Sequence, residues 1–257
     1  MAEKTAQRIS DKDHILLCGE KDFFVKKEQK IFHSNFGTID LTRIKQYGQK
    51  IKSSSGTEFT AIKPTAIDLL RKCKRMPQII TQKDAGQIAA ATGLRSGMRC
   101  LDAGTGSAFL SIFLGNIVAP SGKVYSYERD GKFADNARKN VKICGLEGVI
   151  DVKNNPAEKF TEKDIDLITF DMQNADRLVK KAKSALKAGG WLCIYSPHIE
   201  QQKRAAHEMK KTGFSRVHTM ETIQREWHMD ERGEGYTHPK PSGIMHTGFV
   251  TFGRKIF

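Results

Sequence analysis

Between Arg99 and Asp130 the chain reads RCLDAGTGSAFLSIFLGNIVAPSGKVYSYERD: an apolar run, a glycine turn, an apolar helical stretch and a second apolar run ending at Glu128. This strand–turn–helix–strand order predicts a doubly wound sheet with a nucleotide-like ligand at the carboxyl ends of its strands. Gly104 and Gly106 let backbone and ligand come close, and Glu128 can accept hydrogen bonds from two ribose hydroxyls. Charge narrows the choice of ligand. A dinucleotide turn is usually Gly-x-Gly-x-x-Gly, but here the sixth position is Phe109, and Asp102 precedes Gly104 by two residues. A carboxylate repels a pyrophosphate and attracts the ammonium and sulfonium of S-adenosylmethionine, so the pattern favours the methyl donor over NAD.

Length and composition set bounds around that unit. The 257 residues suffice for one large α/β domain and a small accessory one. A net charge of +14 and a pI near 9.6 suit a polyanionic partner, of which nucleic acid is the commonest. Cys18, Cys73, Cys100, Cys144 and Cys193 are widely spaced, without the spacing of a zinc site, and read as reduced residues of a cytoplasmic protein; no metal is expected. The most apolar stretch, 108–119, is too short to span a bilayer, so no membrane is expected as a partner.

Residues 1–63 read as a small β-rich, barrel-like domain, because HILLCG, DFFVKK, KIFHSNFGTIDLTRI and GTEFTAIK are short β-prone runs separated by Gly, Ser and Asn. Residues 64–98 read as linking helices, one opened by Pro64 over PTAIDLLRKCKR and one capped by Thr81 and ending near Gly93. From residue 99 to 257 strands and helices alternate, which predicts α/β architecture: a mostly parallel, doubly wound seven-stranded sheet, Rossmann-like. Two long β runs, FSRVHTMETIQREWH and GIMHTGFVTFGRK, close the chain as an antiparallel hairpin at the sheet edge. Such a sheet resembles that of the class I methyltransferases.

The other strand ends supply candidate site residues. Asn155, Pro156 and Ala157 stand where such enzymes contact the adenine ring of the cofactor. Asp171 ends LITFD, beside the transferable methyl. It lacks the Pro-Pro-aromatic sequence of amino-group methyltransferases, since Met172, Gln173 and Asn174 follow. Two readings stand for Asp171: a cap for the next helix, or a carboxylate that stabilises charge on a ring nitrogen as it takes the methyl.

Several segments together carry a family resemblance: KPTAIDLLRKCKRMPQIITQKDAGQI, DAGTGSAFLSIFLG, SYERD, FDMQNA, ETIQREW and HTGFVTFGRK. Over nearly its whole length the chain resembles the tRNA adenine-N1 methyltransferases of the T-loop, in their archaeal and bacterial single-subunit form. That resemblance implies S-adenosylmethionine as cofactor and tRNA as partner. It also implies methylation at position 58, with 57 in some members, and assembly as a homotetramer. Gly104, Gly106, Ser107, Ala108 and Phe109 would line the methionine and ribose side of the cofactor, with Asp102 beside them. Glu128 would hold the ribose, Pro156 and Ala157 the adenine, and Asp171 the target base as the catalytic residue. His246 and Thr247 fall in the matching final strand, as a packed strand end or as part of the site. Thr81-Gln82 replace a common Tyr-Pro. Alternatives are a methyltransferase acting on a protein or small-molecule amine, and a non-catalytic RNA-binding partner subunit.

Overall fold

The computed structural model describes residues 8–11, 13–76, 79–230, 235–241 and 245–257. The chain divides into two compact units, Met1–Lys72 and Cys73–Phe257.

In the first unit, β1 (His14–Cys18), β2 (Phe23–Lys26), β3 (Ile31–Ser34), β4 (Gly37–Asp40), β5 (Lys50–Lys52) and β6 (Glu58–Ile62) are all antiparallel. Among the described residues they pair as an open sheet, β2-β1-β6-β5, and a separate β3–β4 hairpin, not as a closed ring. Alternation places Ile15, Leu17, Val25, Ile39, Ile51 and Phe59 inside, and the rings of Phe23 and Phe36 pack against Phe59, with Phe32 against Phe23. The buried ammonium of Lys27 donates to the Ile44 carbonyl. Helix α1 (Ala66–Leu70) follows, its Thr65 amide and hydroxyl both donating to Asp68.

The expected helix over PTAIDLLRKCKR is therefore short, and the reason lies in what residues 74–76 do instead. The Lys74 amide donates to Asn140 Oδ1, its carbonyl accepts from Asn136 and Asn140, and the Met76 amide donates to Ser107 Oγ at 2.8 Å. Backbone groups committed to tertiary partners cannot close helical turns.

The second unit carries α2 (Gln82–Thr92), β7 (Arg99–Ala103), α3 (Phe109–Val118), β8 (Lys123–Tyr127), α4 (Gly131–Ile143), β9 (Ile150–Lys153) and β10 (Ile165–Phe170). There follow α5 (Val179–Ala185), β11 (Leu186–Ser196), α6 (Ile199–Lys211), β12 (Ser215–Glu221), β13 (Trp227–His228), β14 (His238–Pro239) and β15 (Phe249–Arg254). Seven strands form one sheet in the order β12-β15-β11-β10-β7-β8-β9. β9, β8, β7, β10 and β11 are parallel, and β15 is antiparallel to both neighbours. This is the Rossmann-like sheet with an antiparallel closing pair that the sequence predicts. Its central parallel strands β7 and β10 are buried on both faces, as the runs RCLDA and IDLITF require. Ile168, Phe170, Leu192, Ile194, Met209 and Phe214 belong to one apolar cluster that spans the sheet and its helices.

The two final β runs are shorter than their patterns. β12 stops at Glu221 and β15 starts at Phe249, so His246 and Thr247 precede the strand rather than lie in it. β13 and β14 pair only with each other, in an arm between β12 and β15. Residues 231–234 and 242–244, within the joining loop and the start of the second run, lie outside the described residues. Among the described residues no helix is long and apolar enough to cross a membrane.

Asn140 is 1% exposed and holds the 74–76 segment by three of the hydrogen bonds that fasten it to α4 and the glycine turn. Asn140→Ala strands buried partners and is expected to lower unfolding free energy by roughly 2–4 kcal/mol; a urea titration showing less than 1 kcal/mol would contradict this account.

Candidate active site

Three strand ends and one helix start converge at the glycine turn. Asp102 of β7 is in register with Ser126 of β8 and Thr169 of β10, and Ser111 of α3 reaches down to the same row. Thr169 Oγ1 donates to Asp102 Oδ1 at 2.7 Å and Ser111 Oγ donates to Oδ2 at 2.5 Å. Ser126 Oγ bridges Ser111 and Thr105 at 2.7 and 2.6 Å. Burial pushes the Asp102 carboxyl upward and these hydroxyl bonds pull it back, leaving it above the ordinary carboxylate range. Its oxygens are occupied, so Asp102 presents charge to the turn rather than a free acceptor.

Gly104, at φ +89°, passes so close to the loop after β10 that an added Cβ would lie 2.0 Å from the Asp171 carbonyl oxygen. Only glycine fits there. The Asp171 amide donates to the Ala103 carbonyl at 2.9 Å, which fixes the loop after β10 against the turn after β7. The Gly106 amide donates to Glu128 Oε2 at 2.9 Å, and Glu128 Oε1 accepts from the Asp130 amide. Ser107 is buried, its hydroxyl and carbonyl bonded to Met76 and Asn140, and Ala108 is the buried N-cap of α3.

An open cleft of about 270 Å³ lies over this turn. Asp102, Gly104, Ser107, Phe109 and Asp171 line it, so the structure brings five of the sequence-predicted residues together. Ile79, Ile80, Thr105 and Leu110 complete the lining. Glu128 joins through its bond to Gly106, whereas Pro156 and Ala157 sit farther along the carboxyl edge, after β9. Asp171 does not cap a helix: a 3₁₀ turn begins at Ala175, and among the described residues no donor bonds the Asp171 carboxyl. Burial, then the neighbouring Asp102 charge, raises its pKa to about 7. Three carboxylates around one glycine turn fit a cationic ligand and oppose a pyrophosphate. No group of three or more metal-ligating side chains occurs among the described residues.

Sequence reading missed one constellation, at the start of α2. Lys83, its side chain only 10% exposed beside buried Asp84, spends all three ammonium donors: on Asp84 Oδ1 at 2.8 Å, the Thr222 carbonyl at 2.5 Å and Thr247 Oγ1 at 2.7 Å. Thr247 Oγ1 in turn donates to Asp84 Oδ2 at 2.7 Å. One buried pair thus fastens both feet of the β13–β14 arm, which is why the ladder stops short of Thr222 and Thr247. Tyr195 OH donates to the Thr247 carbonyl at 2.6 Å, and a Cβ on Gly248 would lie 2.5 Å from the Tyr195 ring. Burial, then the Asp84 charge, with a smaller contribution from Asp171, pushes the Tyr195 hydroxyl up to about 12. His246 bonds Glu221 at 2.6 Å and the Pro197 carbonyl at 3.2 Å, and the Glu221 bond raises its pKa. The signal was present: KPTAIDLLRKCKRMPQIITQKDAGQI and HTGFVTFGRK both carry the family resemblance, and their KDAGQ and HTGF portions meet here.

Comparison with known proteins follows the same lines. The family model described as the tRNA methyltransferase complex GCD14 subunit matches residues 69–240. The chain is 34% identical to tRNA (adenine(57)-N(1)/adenine(58)-N(1))-methyltransferase TrmI of Methanocaldococcus jannaschii, over 91% of each chain. The chain belongs to this tRNA methyltransferase family. It is also 28% identical to tRNA (adenine(58)-N(1))-methyltransferase TrmI of Thermus thermophilus, over 87% of this chain and 88% of that one. Among solved structures, a SAM-dependent O-methyltransferase of Thermotoga maritima superposes with a TM-score of 0.83 at 28% identity, covering 100% of this chain and 98% of that one. The tRNA (m1A58) methyltransferase TrmI of Aquifex aeolicus shares the fold, with a TM-score of 0.76 at 22% identity over 98% of this chain and 100% of that one.

Lys83→Met leaves Asp84 buried and unpaired, and is expected to cost about 3–5 kcal/mol in chemical denaturation. Restoring the charge balance with Asp84→Asn in the same chain should recover part of that loss; equal stability of wild type and Lys83→Met would refute the clamp.

Proposed function

We propose that this chain transfers the methyl group of S-adenosylmethionine to N1 of adenine 58 in the T-loop of tRNA. The observation that carries the proposal is Asp171, a carboxylate in the cleft with no donor of its own among the described residues, backed against the glycine turn in a chain of this family. When bound, S-adenosylmethionine supplies an electrophilic methyl on a sulfonium. Gly104 to Phe109 would follow its methionine and ribose, Glu128 would accept from the ribose hydroxyls, and Pro156 and Ala157 would flank its adenine. Asp102, held inward by Ser111 and Thr169, would contribute attraction for the cationic end.

Asp171 would accept a hydrogen bond from the 6-amino group of the target adenine. As N1 forms its new bond, positive charge spreads over the base to that amino group, and the carboxylate stabilises it in a cleft where water competes weakly. The target base has to leave its stack to reach this position. The +14 net charge suits the phosphates of the surrounding RNA. This reading carries with it residence in the cytoplasm and assembly as a homotetramer, for which exposed Ile223, Trp227, Met229 and Tyr236 between β12 and β15 offer an apolar surface.

The test incubates purified protein with unmodified tRNA transcript and labelled S-adenosylmethionine and maps reverse-transcription stops. An N1 methyl blocks the pairing edge, so a cofactor-dependent stop at position 58 is expected, and a stop at 57 would extend the activity to the neighbouring adenine. Asp171→Ala should keep cofactor affinity and lose at least about 100-fold in methyl transfer, the range for a removed transition-state stabiliser. Label in RNA without a T-loop stop would discard the N1 assignment.

The carboxylate form of Asp171 is the active one, and its pKa is about 7. Single-turnover rates should therefore fall about tenfold between pH 8 and pH 6. Asp171→Asn should flatten that limb; an unchanged slope would assign the titration elsewhere.

A further inference from the structure

Cys73 and Cys144 stand 71 positions apart in the chain and 3.8 Å apart sulfur to sulfur. Neither is placed by chance of a loose surface. Cys73 is buried and directly precedes Lys74, whose amide and carbonyl are bonded to Asn140 and Asn136 of α4. Cys144 is the half-exposed C-cap of the same helix, its amide donating to the Asn140 carbonyl. The Cys73 sulfur also approaches the Asn140 carbonyl, at 3.8 Å. Asparagine side chains thus pin Lys74 beside Cys73, the backbone ladder of α4 holds Cys144, and the sulfurs face each other in van der Waals contact.

We propose that Cys73 and Cys144 form a redox-active dithiol that a low-molecular-weight disulfide converts to one intrachain disulfide. The accessible Cys144 thiolate attacks the small disulfide, expels one small thiolate and becomes the mixed disulfide. Cys73 then attacks the Cys144 sulfur, forms the internal bond and expels the second thiolate. The two cysteines lose two protons and two electrons in all, and the small disulfide is reduced to two thiols. The hydrogen bond with Cys73, then burial, raises the Cys144 thiol above the ordinary thiol range, so the first step quickens as pH rises. Closing from contact to a bond of about 2.05 Å asks for a movement of less than about 2 Å, shared by two side chains.

The remaining cysteines provide internal controls. Cys100 and Cys193 are buried in the sheet with raised pKa values, chiefly from burial, and Cys18 belongs to the other unit. The bond would staple the segment that leads from Cys73 through Met76, bonded to Ser107, to Ile79 and Ile80 in the cleft wall. It would close a long loop and so restrict the unfolded chain.

The test equilibrates the full chain with mixtures of reduced and oxidised glutathione and reads free thiols, intact mass and disulfide-linked peptides. Free thiols are expected to fall from five to three, with a Cys73–Cys144 linked peptide and a rise in Tm of roughly 5–10 °C that dithiothreitol reverses. Because the thiols already touch in the folded chain, affinity for S-adenosylhomocysteine should stay within about twofold on oxidation. Cys73→Ser and Cys144→Ser should each abolish the linked peptide and the Tm rise, and the peptide map of the unmodified chain decides the pairing even if either variant folds poorly. Five free thiols at the most oxidising setting, stable glutathione adducts in place of the link, a different pairing, or a tenfold loss of S-adenosylhomocysteine affinity would each overturn the proposal.

Discussion

The carbonyl oxygen of Asp171 occupies the space that any side chain at position 104 would need. Backbone against backbone, the turn after β7 and the loop after β10 are held in one relative position, and the Asp171 amide bonded to Ala103 keeps them there. The consequence reaches chemistry directly. Under the proposed function, a methyl donor on the first loop and an acceptor on the second would meet only if these two loops keep their separation to a fraction of an ångström. Beneath them, Asp102, Ser111, Ser126 and Thr169 tie three strands and α3 into one hydrogen-bonded row. The site therefore rests on rigid elements, with little left to loop flexibility.

The clamp at the start of α2 is built differently. Thr222 and Thr247, twenty-five positions apart by their numbers, are fastened to a single ammonium, that of Lys83. Tyr195 and Gly248 then stack the lead-in to β15 against the end of β11. Burying a lysine is costly unless each of its protons is matched, and here each is. An ion pair of this kind specifies one geometry rather than adding much stability. It holds the arm's feet, while β13 and β14 pair with each other.

Much of this architecture was legible in the sequence, because its signals are local and periodic. The glycine turn, the apolar runs of a sheet buried on both faces and the acids at strand ends need only residue spacing to be read. Asp171, too, could be placed at a strand end from LITFD alone. What was not legible depends on partners far along the chain. The helix expected over PTAIDLLRKCKR is cut short by Asn136 and Asn140, more than sixty residues away. The long β run through Thr222 is interrupted by Lys83, 139 positions earlier. In both places a side chain takes backbone groups that regular structure would have used, and no local pattern records such a partner.

Strand β15 lies between β11 and β12, yet it follows both in the chain. During synthesis, β12 has no neighbour to pair with until the arm and then β15 have emerged, and the edge of β11 stays open for the same interval. An unpaired edge beside Ile194 and Leu192 is a template for another nascent chain. The seven-stranded sheet is thus completed by insertion rather than by extension. The basic side chains Lys203, Arg204, Lys210 and Lys211 of α6 and the polar solvent face of β12 oppose edge-to-edge pairing between copies at such an opening.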